Sequence, residues 1–186
     1  MGLGCSCVQQ HHLETPDLTG DCPKFSLEGE VCYGYCHSVV DGDTVKLNLA
    51  TPFGNRCFSC RLAHLDSPEL KSTVPEERRH ARACKALVEK MLLHRHCVVQ
   101  CGKMDKYGRL LVTVHLSLEK GNNKTPKTVT FAEFLTWPLP PFLNLNQFLL
   151  DSSPCVPYEG RKKHTFSFRP NYPEVYWECY LARVET

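Results

Sequence analysis

The stretch that most constrains this chain is residues 39–45, V-V-D-G-D-T-V, in which two carboxylates flank a glycine at the end of an apolar run. Residues 30–40 and 44–49 are rich in Val, Tyr, Cys and Leu and read as two strands, with Asp41, Gly42 and Asp43 as the turn between them. Strand side chains alternate in direction, so Asp41 and Asp43 face the same way. Gly42 lets the backbone bend there and approach a neighbour closely. Two adjacent carboxylates begin an oxygen-donor site for a hard cation. Taken alone, the same residues also suit a polar hairpin turn in solvent.

The following segments extend the pattern. Gly54-Asn55 is a second turn signal, and residues 56–65 form a third strand, giving an antiparallel meander. Thr73-Val74-Pro75-Glu76 has the spacing of a capping box, in which hydroxyl and carboxylate satisfy exposed amides reciprocally. It predicts a helix over residues 75–93, with Cys84, Leu87, Val88, Met91 and Leu92 as its core-facing stripe. Residues 97–101 and 110–116 supply the fourth and fifth strands, with 105–108 between them. A length of 186 residues with 42% apolar content suits one domain with appendages.

Charge is informative only in its distribution. The formal net charge is +2, yet residues 71–109 hold ten Lys or Arg against four Asp or Glu. Arg78, Arg79, Arg82 and Lys85 crowd the first turns of the predicted helix, and a solvated helix face accounts for part of the excess.

Two further motifs join the D-G-D-T turn. Residues 60–69 read C-R-L-A-H-L-D-S-P-E, with Arg61, Asp66, Ser67 and Glu69, and residues 105–109 read D-K-Y-G-R. Together the three resemble the marks of the staphylococcal (thermonuclease-like) nuclease family: a D-G-D-T turn, an R-x4-D-[TS]-P-E segment and a D-x-Y-G-R segment, in that order. The resemblance covers residues 30–114 and, more loosely, 142–160. It implies an α+β fold: a five-stranded oligonucleotide/oligosaccharide-binding (OB) barrel with two or more packed helices. On this reading residues 1–25 form a flexible tether, 26–160 the nuclease-like domain, and 161–186 an irregular C-terminal extension. Residues 119–141 exceed the family's usual connection and read as an inserted hairpin or loop. Residues 145–150 resemble the family's second core helix and lead to a tyrosine-bearing segment at Tyr158. The family's long third helix is not recognisable after Gly160, where Pro170 and Pro173 favour irregular structure.

The resemblance also implies a chemistry. Asp43 and Asp66, with the backbone carbonyl of Ser67, hold Ca²⁺, and Asp41 stands behind them. A few oxygen ligands plus water suit Ca²⁺, which tolerates looser geometry than Mg²⁺. Arg61 and Arg109 grip the phosphate, since a guanidinium fork fits two phosphate oxygens at once. Glu69 acts as general base on water, and Tyr107, Lys106 and Tyr158 contact the nucleotide. The expected activity is Ca²⁺-dependent hydrolysis of DNA and RNA with low sequence specificity, leaving 3′-phosphate and 5′-hydroxyl ends. The alternative is a non-catalytic OB-fold module that binds nucleic acid or protein at a membrane. No obligate protein partner is evident, and a monomer is expected.

Twelve cysteines accompany a start without a basic, apolar leader, so reduced thiols are expected. Cys57 and Cys60 have metal-like spacing but lack a second such pair, and in a strand they point to opposite faces. Met1-Gly2-Leu3-Gly4-Cys5-Ser6 fits N-myristoylation at Gly2, with Cys5 and Cys7 as palmitoylation candidates. One acyl chain attaches only marginally, whereas two hold stably, so the expected location is the cytoplasmic face of a membrane, the plasma membrane first.

Overall fold

Along Thr44–Thr51, Val45, Leu47 and Leu49 are fully buried while Lys46, Asn48 and Ala50 face solvent. That period of two is the signature of a strand with one face on a core. The computed structural model describes residues 24–119, 122–138 and 142–158, of which 119 and 122–126 are described by backbone alone.

Strands β1 (Val31–Val39), β2 (Thr44–Thr51) and β3 (Gly54–Leu62) form the expected antiparallel meander, with Thr44 opposite Arg61 and Thr51 opposite Gly54. The third strand ends earlier than its composition suggests. At His64 the backbone enters the left-handed region (φ 64°) and resumes as the two-residue β4 (Leu65–Asp66). After helix α1 (Pro75–Leu92), β5 (His96–Met104) pairs with β1, and β6 (Leu110–Glu119) pairs with β5. Strand β6 then runs parallel to β3, with Cys60 opposite Leu110 and Leu62 opposite Val112. This pairing closes five strands into an OB-like barrel of mixed sheet.

Helix α1 buries Ala81, Cys84, Leu87, Val88, Met91 and Leu92 against the barrel core. Its start corrects the expected capping box. The N-cap is Val74 and has no side-chain cap, so Thr73 and Glu76 do not pair. Proline is favoured as the first helical residue, because its missing N–H costs nothing there. Pro75 therefore sets the boundary one residue later than the Thr-x-x-Glu spacing requires.

The stretch read as an insertion contains a hairpin and a short helix. Strand β7 (Asn122–Lys127) pairs with β6, and α2 (Phe131–Leu135) starts at a true capping box between Thr130 and Glu133. Tyr33 anchors this layer by donating its hydroxyl to the Val129 carbonyl at 2.8 Å and stacking on His96. Strand β8 (Phe142–Asn144) returns to β6 and leads into α3 (Leu145–Ser152). Asn146 of α3 donates to the carbonyls of Ala63 (3.1 Å) and Val112 (2.9 Å) and accepts from the Val114 amide (3.0 Å). It thereby clamps the parallel closure. Strand β9 (Val156–Pro157) pairs with β4 and brings Tyr158 to the barrel mouth.

The eight described cysteines are free thiols. Cys60 is buried and Cys57 exposed, the opposite facing expected of their strand spacing. Burial pushes the Cys36 thiol up to about 11 and the Cys60 thiol up to about 12, so both behave as small apolar groups.

Candidate active site

The end of the β2–β3 hairpin opposite its tight turn opens into a cleft of about 1250 Å³. Its walls include Asp43, Arg61, Asp66, Glu69, Arg109 and Tyr158. Three turns and the parallel β3–β6 pairing bring these residues together from positions far apart in the chain.

The D-G-D turn supplies the first wall. Gly42 is required by close approach: a Cβ there would lie 2.8 Å from Cys84 Cβ of α1 and 2.8 Å from Ser67 Cβ. The turn therefore packs between the helix and the segment after β4, which places Asp43 beside Ser67. Asp43 Oδ2 accepts from the Ser67 amide at 3.0 Å, and Oδ1 accepts from the Thr44 hydroxyl at 2.8 Å. Asp41 Oδ1 in turn accepts from the Asp43 amide at 3.1 Å. Burial, and then the charge of Asp43, push the Asp41 carboxyl above its ordinary value.

Arg61 lies at the centre of the cleft and is only 9% exposed. Its Nη1 is 3.0 Å from Asp43 Oδ1, its Nη2 is 2.7 Å from Asp66 Oδ1, and Nη2 also donates to the Leu65 carbonyl at 3.1 Å. Burial pulls down the protonated form of Arg61, but the charges of Asp43 and Asp66 outweigh it and raise its pKa. Tyr158 covers the guanidinium, with the Arg61 Cζ 5.0 Å from its ring centroid.

Arg109 enters from the 105–109 turn, which Asp105 organises. Asp105 Oδ1 accepts from the amides of Tyr107 (2.8 Å) and Arg109 (2.9 Å), and Oδ2 accepts from Arg109 Nε (2.8 Å). Burial opposes the charged carboxylate, yet these donors and the Arg109 charge hold its pKa low. Arg109 Nη1 donates to Thr44 Oγ1 at 3.1 Å. A continuous run of bonds thus passes from Asp66 through Arg61, Asp43, Thr44 and Arg109 to Asp105. Tyr107 is 72% exposed at the rim, with Lys106 Nζ 5.0 Å and Arg109 Cζ 5.5 Å from its ring.

Asp43 and Asp66 offer carboxylate oxygens of the kind a hard divalent cation takes, and both already meet the Arg61 guanidinium, while the Ser67 amide donates to Asp43. Among the described residues no group of three or more His, Cys, Asp or Glu side chains is arranged to hold a metal. A cation here would draw on Asp43, Asp66 and the Ser67 carbonyl, with the rest of its shell from water or substrate.

The family model for staphylococcal nuclease homologues matches residues 59–130. Over that stretch the chain is similar to the staphylococcal nucleases. Together with the five-stranded barrel, the match supports a nuclease-type family for this domain. No curated protein matches the chain. The matched stretch contains Arg61, Asp66, Ser67, Glu69, Lys106, Tyr107 and Arg109. Asp41, Asp43 and Tyr158 lie outside it, yet the fold brings all three to the same cleft.

Every candidate cation, phosphate and nucleotide residue named from sequence lines this one cleft. Gly2, Cys5 and Cys7 lie outside the described residues, as does the C-terminal extension. No helix among the described residues is long and apolar enough to cross a membrane. Two residues of the cleft network are not singled out by the motifs as functional positions. Thr44 couples Asp43 to Arg109 and Asp105 holds Arg109, and both lie inside motifs quoted above.

Proposed function

We propose that this domain is a Ca²⁺-dependent nuclease that hydrolyses phosphodiester bonds of DNA and RNA with little sequence preference. The products are 3′-phosphate and 5′-hydroxyl ends. The observation that carries this reading is the pair of guanidiniums, Arg61 and Arg109, joined through Asp43 and Thr44 on one cleft wall. Phosphodiester hydrolysis concentrates negative charge in the transition state, and preorganised donors aimed at it are commonly the largest catalytic term. Asp43, Asp66 and the Ser67 carbonyl hold the cation, with Asp41 behind them, and a bound divalent ion supplies Lewis-acid stabilisation of that charge. Arg61 and Arg109 bind phosphate oxygens, and Glu69 takes the proton of the attacking water. Tyr107, Lys106 and Tyr158 contact sugar and base by stacking and charge, which explains tolerance of sequence. Acyl groups on Gly2, Cys5 and Cys7 tether the monomer to the cytoplasmic face of a membrane.

Incubation of the full chain with plasmid DNA and with RNA, in Ca²⁺ or in excess chelator, tests the reading. Both substrates should be cut in Ca²⁺ alone, to ends that ligate only after the 3′-phosphate is removed and the 5′-hydroxyl is phosphorylated. Cutting that persists in excess chelator removes the cation assignment.

A second reading is a binding module without catalysis. Its support is that both arginines already have carboxylate partners, Asp43 and Asp66 for Arg61 and Asp105 for Arg109. Nucleic-acid binding without cutting in Ca²⁺ would select it.

A further inference from the structure

Helix α1 opens at Val74 without a capping side chain, and its first turn carries Glu76 and Glu77. An acid at the third helical position ordinarily folds back onto the N-cap amide. Glu77 does something else. Its Oε1 accepts from the Glu69 amide at 3.1 Å, and its Oε2 accepts from the Ser72 hydroxyl. The Val74 amide is taken by Ser72 Oγ at 3.1 Å instead. One carboxylate therefore holds both ends of the short loop 69–72, which is itself closed by the Ser72 amide on the Glu69 carbonyl at 3.2 Å. Arg78, one residue further along the helix, donates to the carbonyls of Ser72 (2.8 Å) and Thr73 (3.1 Å). On the other side of Glu69, the Ser67 amide is bound to Asp43. The backbone of Glu69 is thus secured from both directions, downstream by a side chain that does not line the cleft.

We propose that Glu77 is a positioning residue for Glu69. It fixes the backbone from which the Glu69 carboxylate reaches the cleft, and it contacts neither substrate nor cation. The inference rests on the reading of Glu69 as general base. A base must lie within hydrogen-bond reach of the water it deprotonates, and a displacement of about 1 Å in a reacting group costs on the order of 10²-fold in rate.

Three substitutions in the full chain, assayed on an oligonucleotide in Ca²⁺, separate this role from a favourable charge at the helix N-terminus. Glu77→Asp keeps that charge but shortens the reach, and Glu77→Gln drops the charge but keeps an oxygen for the Glu69 amide. Glu77→Ala and Glu77→Asp should each lower kcat by about 10- to 100-fold with KM nearly unchanged, while Glu77→Gln stays near wild type. A helix-charge role predicts the reverse order for Asp and Gln, and that order overturns the proposal. In a Glu69→Ala background, Glu77→Ala should cost nothing further; an equal additional loss overturns it as well. Amide hydrogen exchange at Glu69 is independent of cutting. It should accelerate in Glu77→Ala and Glu77→Asp and stay slow in Glu77→Gln, and unchanged exchange in all three rejects the tether. If the exchange pattern holds while the wild-type chain cuts nothing, the fault lies with the nuclease reading and not with the loop.

Discussion

Arg61 and Asp66 meet through Nη2 and Oδ1 at 2.7 Å, and the same guanidinium reaches Asp43 at 3.0 Å. One guanidinium thus bridges two buried carboxylates that are also the proposed cation ligands. Removing one partner of a buried ion pair typically costs about 3–5 kcal/mol, because the remaining charge is stranded. Arg61→Gln should be destabilised on that scale. Added Ca²⁺ should stabilise it more than wild type, since a divalent ion at Asp43 and Asp66 relieves a repulsion that Arg61 screens in wild type. Urea unfolding with and without Ca²⁺ measures both effects. Equal stabilisation of the two proteins would place the ion elsewhere.

Gly42→Ala should damage stability and site together. The added Cβ meets Cys84 Cβ and Ser67 Cβ at 2.8 Å, and both are fixed to backbone, so neither moves aside as a flexible side-chain end would. Overpacking of this kind costs about 1–3 kcal/mol. Because the turn carries Asp43, relief of the contact shifts a proposed cation ligand. We expect a lower Tm with cutting reduced beyond what the unfolded fraction explains; an unchanged Tm would contradict the close packing.

Thr44→Val tests the link between the two arginines. The hydroxyl donates to Asp43 at 2.8 Å and accepts from Arg109 at 3.1 Å, and valine keeps the shape without either bond. A lost hydrogen bond to a charged group is worth about 1.5–3 kcal/mol. In steady-state kinetics kcat/KM should fall about 10-fold or more, with the loss growing if Arg109 is needed only in the transition state. Loss in KM alone would make the link a matter of binding.

Much of this site was legible in the chain because its parts are local. The D-G-D-T turn and the 105–109 turn are built by side chains bonding amides within a few residues, as Asp105 does for Tyr107 and Arg109, and in the 61–69 segment Arg61 bonds the Leu65 carbonyl and the Asp66 carboxylate. Composition and turn signals likewise give β1 and β2, and β3 apart from its end. Long-range pairings left no local trace: the parallel closure of β3 on β6, and the two-residue β4–β9 bridge that sets Tyr158 over Arg61. The start of α1 departs from the sequence pattern for a physical reason, whereas α3 begins at Leu145 as the pattern has it. Thr73 and Glu76 have box spacing, but Pro75 fixes the first helical residue and moves the cap to Val74. The working box, Thr130 with Glu133, lies in a stretch whose glycine and prolines point to a hairpin or loop.

That working box yields a pH prediction. Glu133 accepts from the Thr130 amide (2.8 Å), the Thr130 hydroxyl (2.9 Å) and the Ser117 hydroxyl (2.9 Å), and it pairs with Lys127 at 3.0 Å. Burial alone would raise its pKa, but these four donors overcome it and push the carboxyl down from its ordinary 4.5 to about 2. A carboxyl depressed by folding contributes stability that is fully present above its unfolded value and disappears as pH falls through its folded value. The gap in Tm between wild type and Glu133→Gln should therefore be constant above about pH 5, shrink between pH 4.5 and 2, and close below that. Other acids titrate over the same range, but they do so in both proteins and cancel in the difference. Thermal unfolding of the pair across pH 2–7 reads it directly. A gap that persists unchanged to pH 2 would mean that the four donors do not hold Glu133 ionised, and that α2 is fixed instead by the packing of Phe134 on Tyr33.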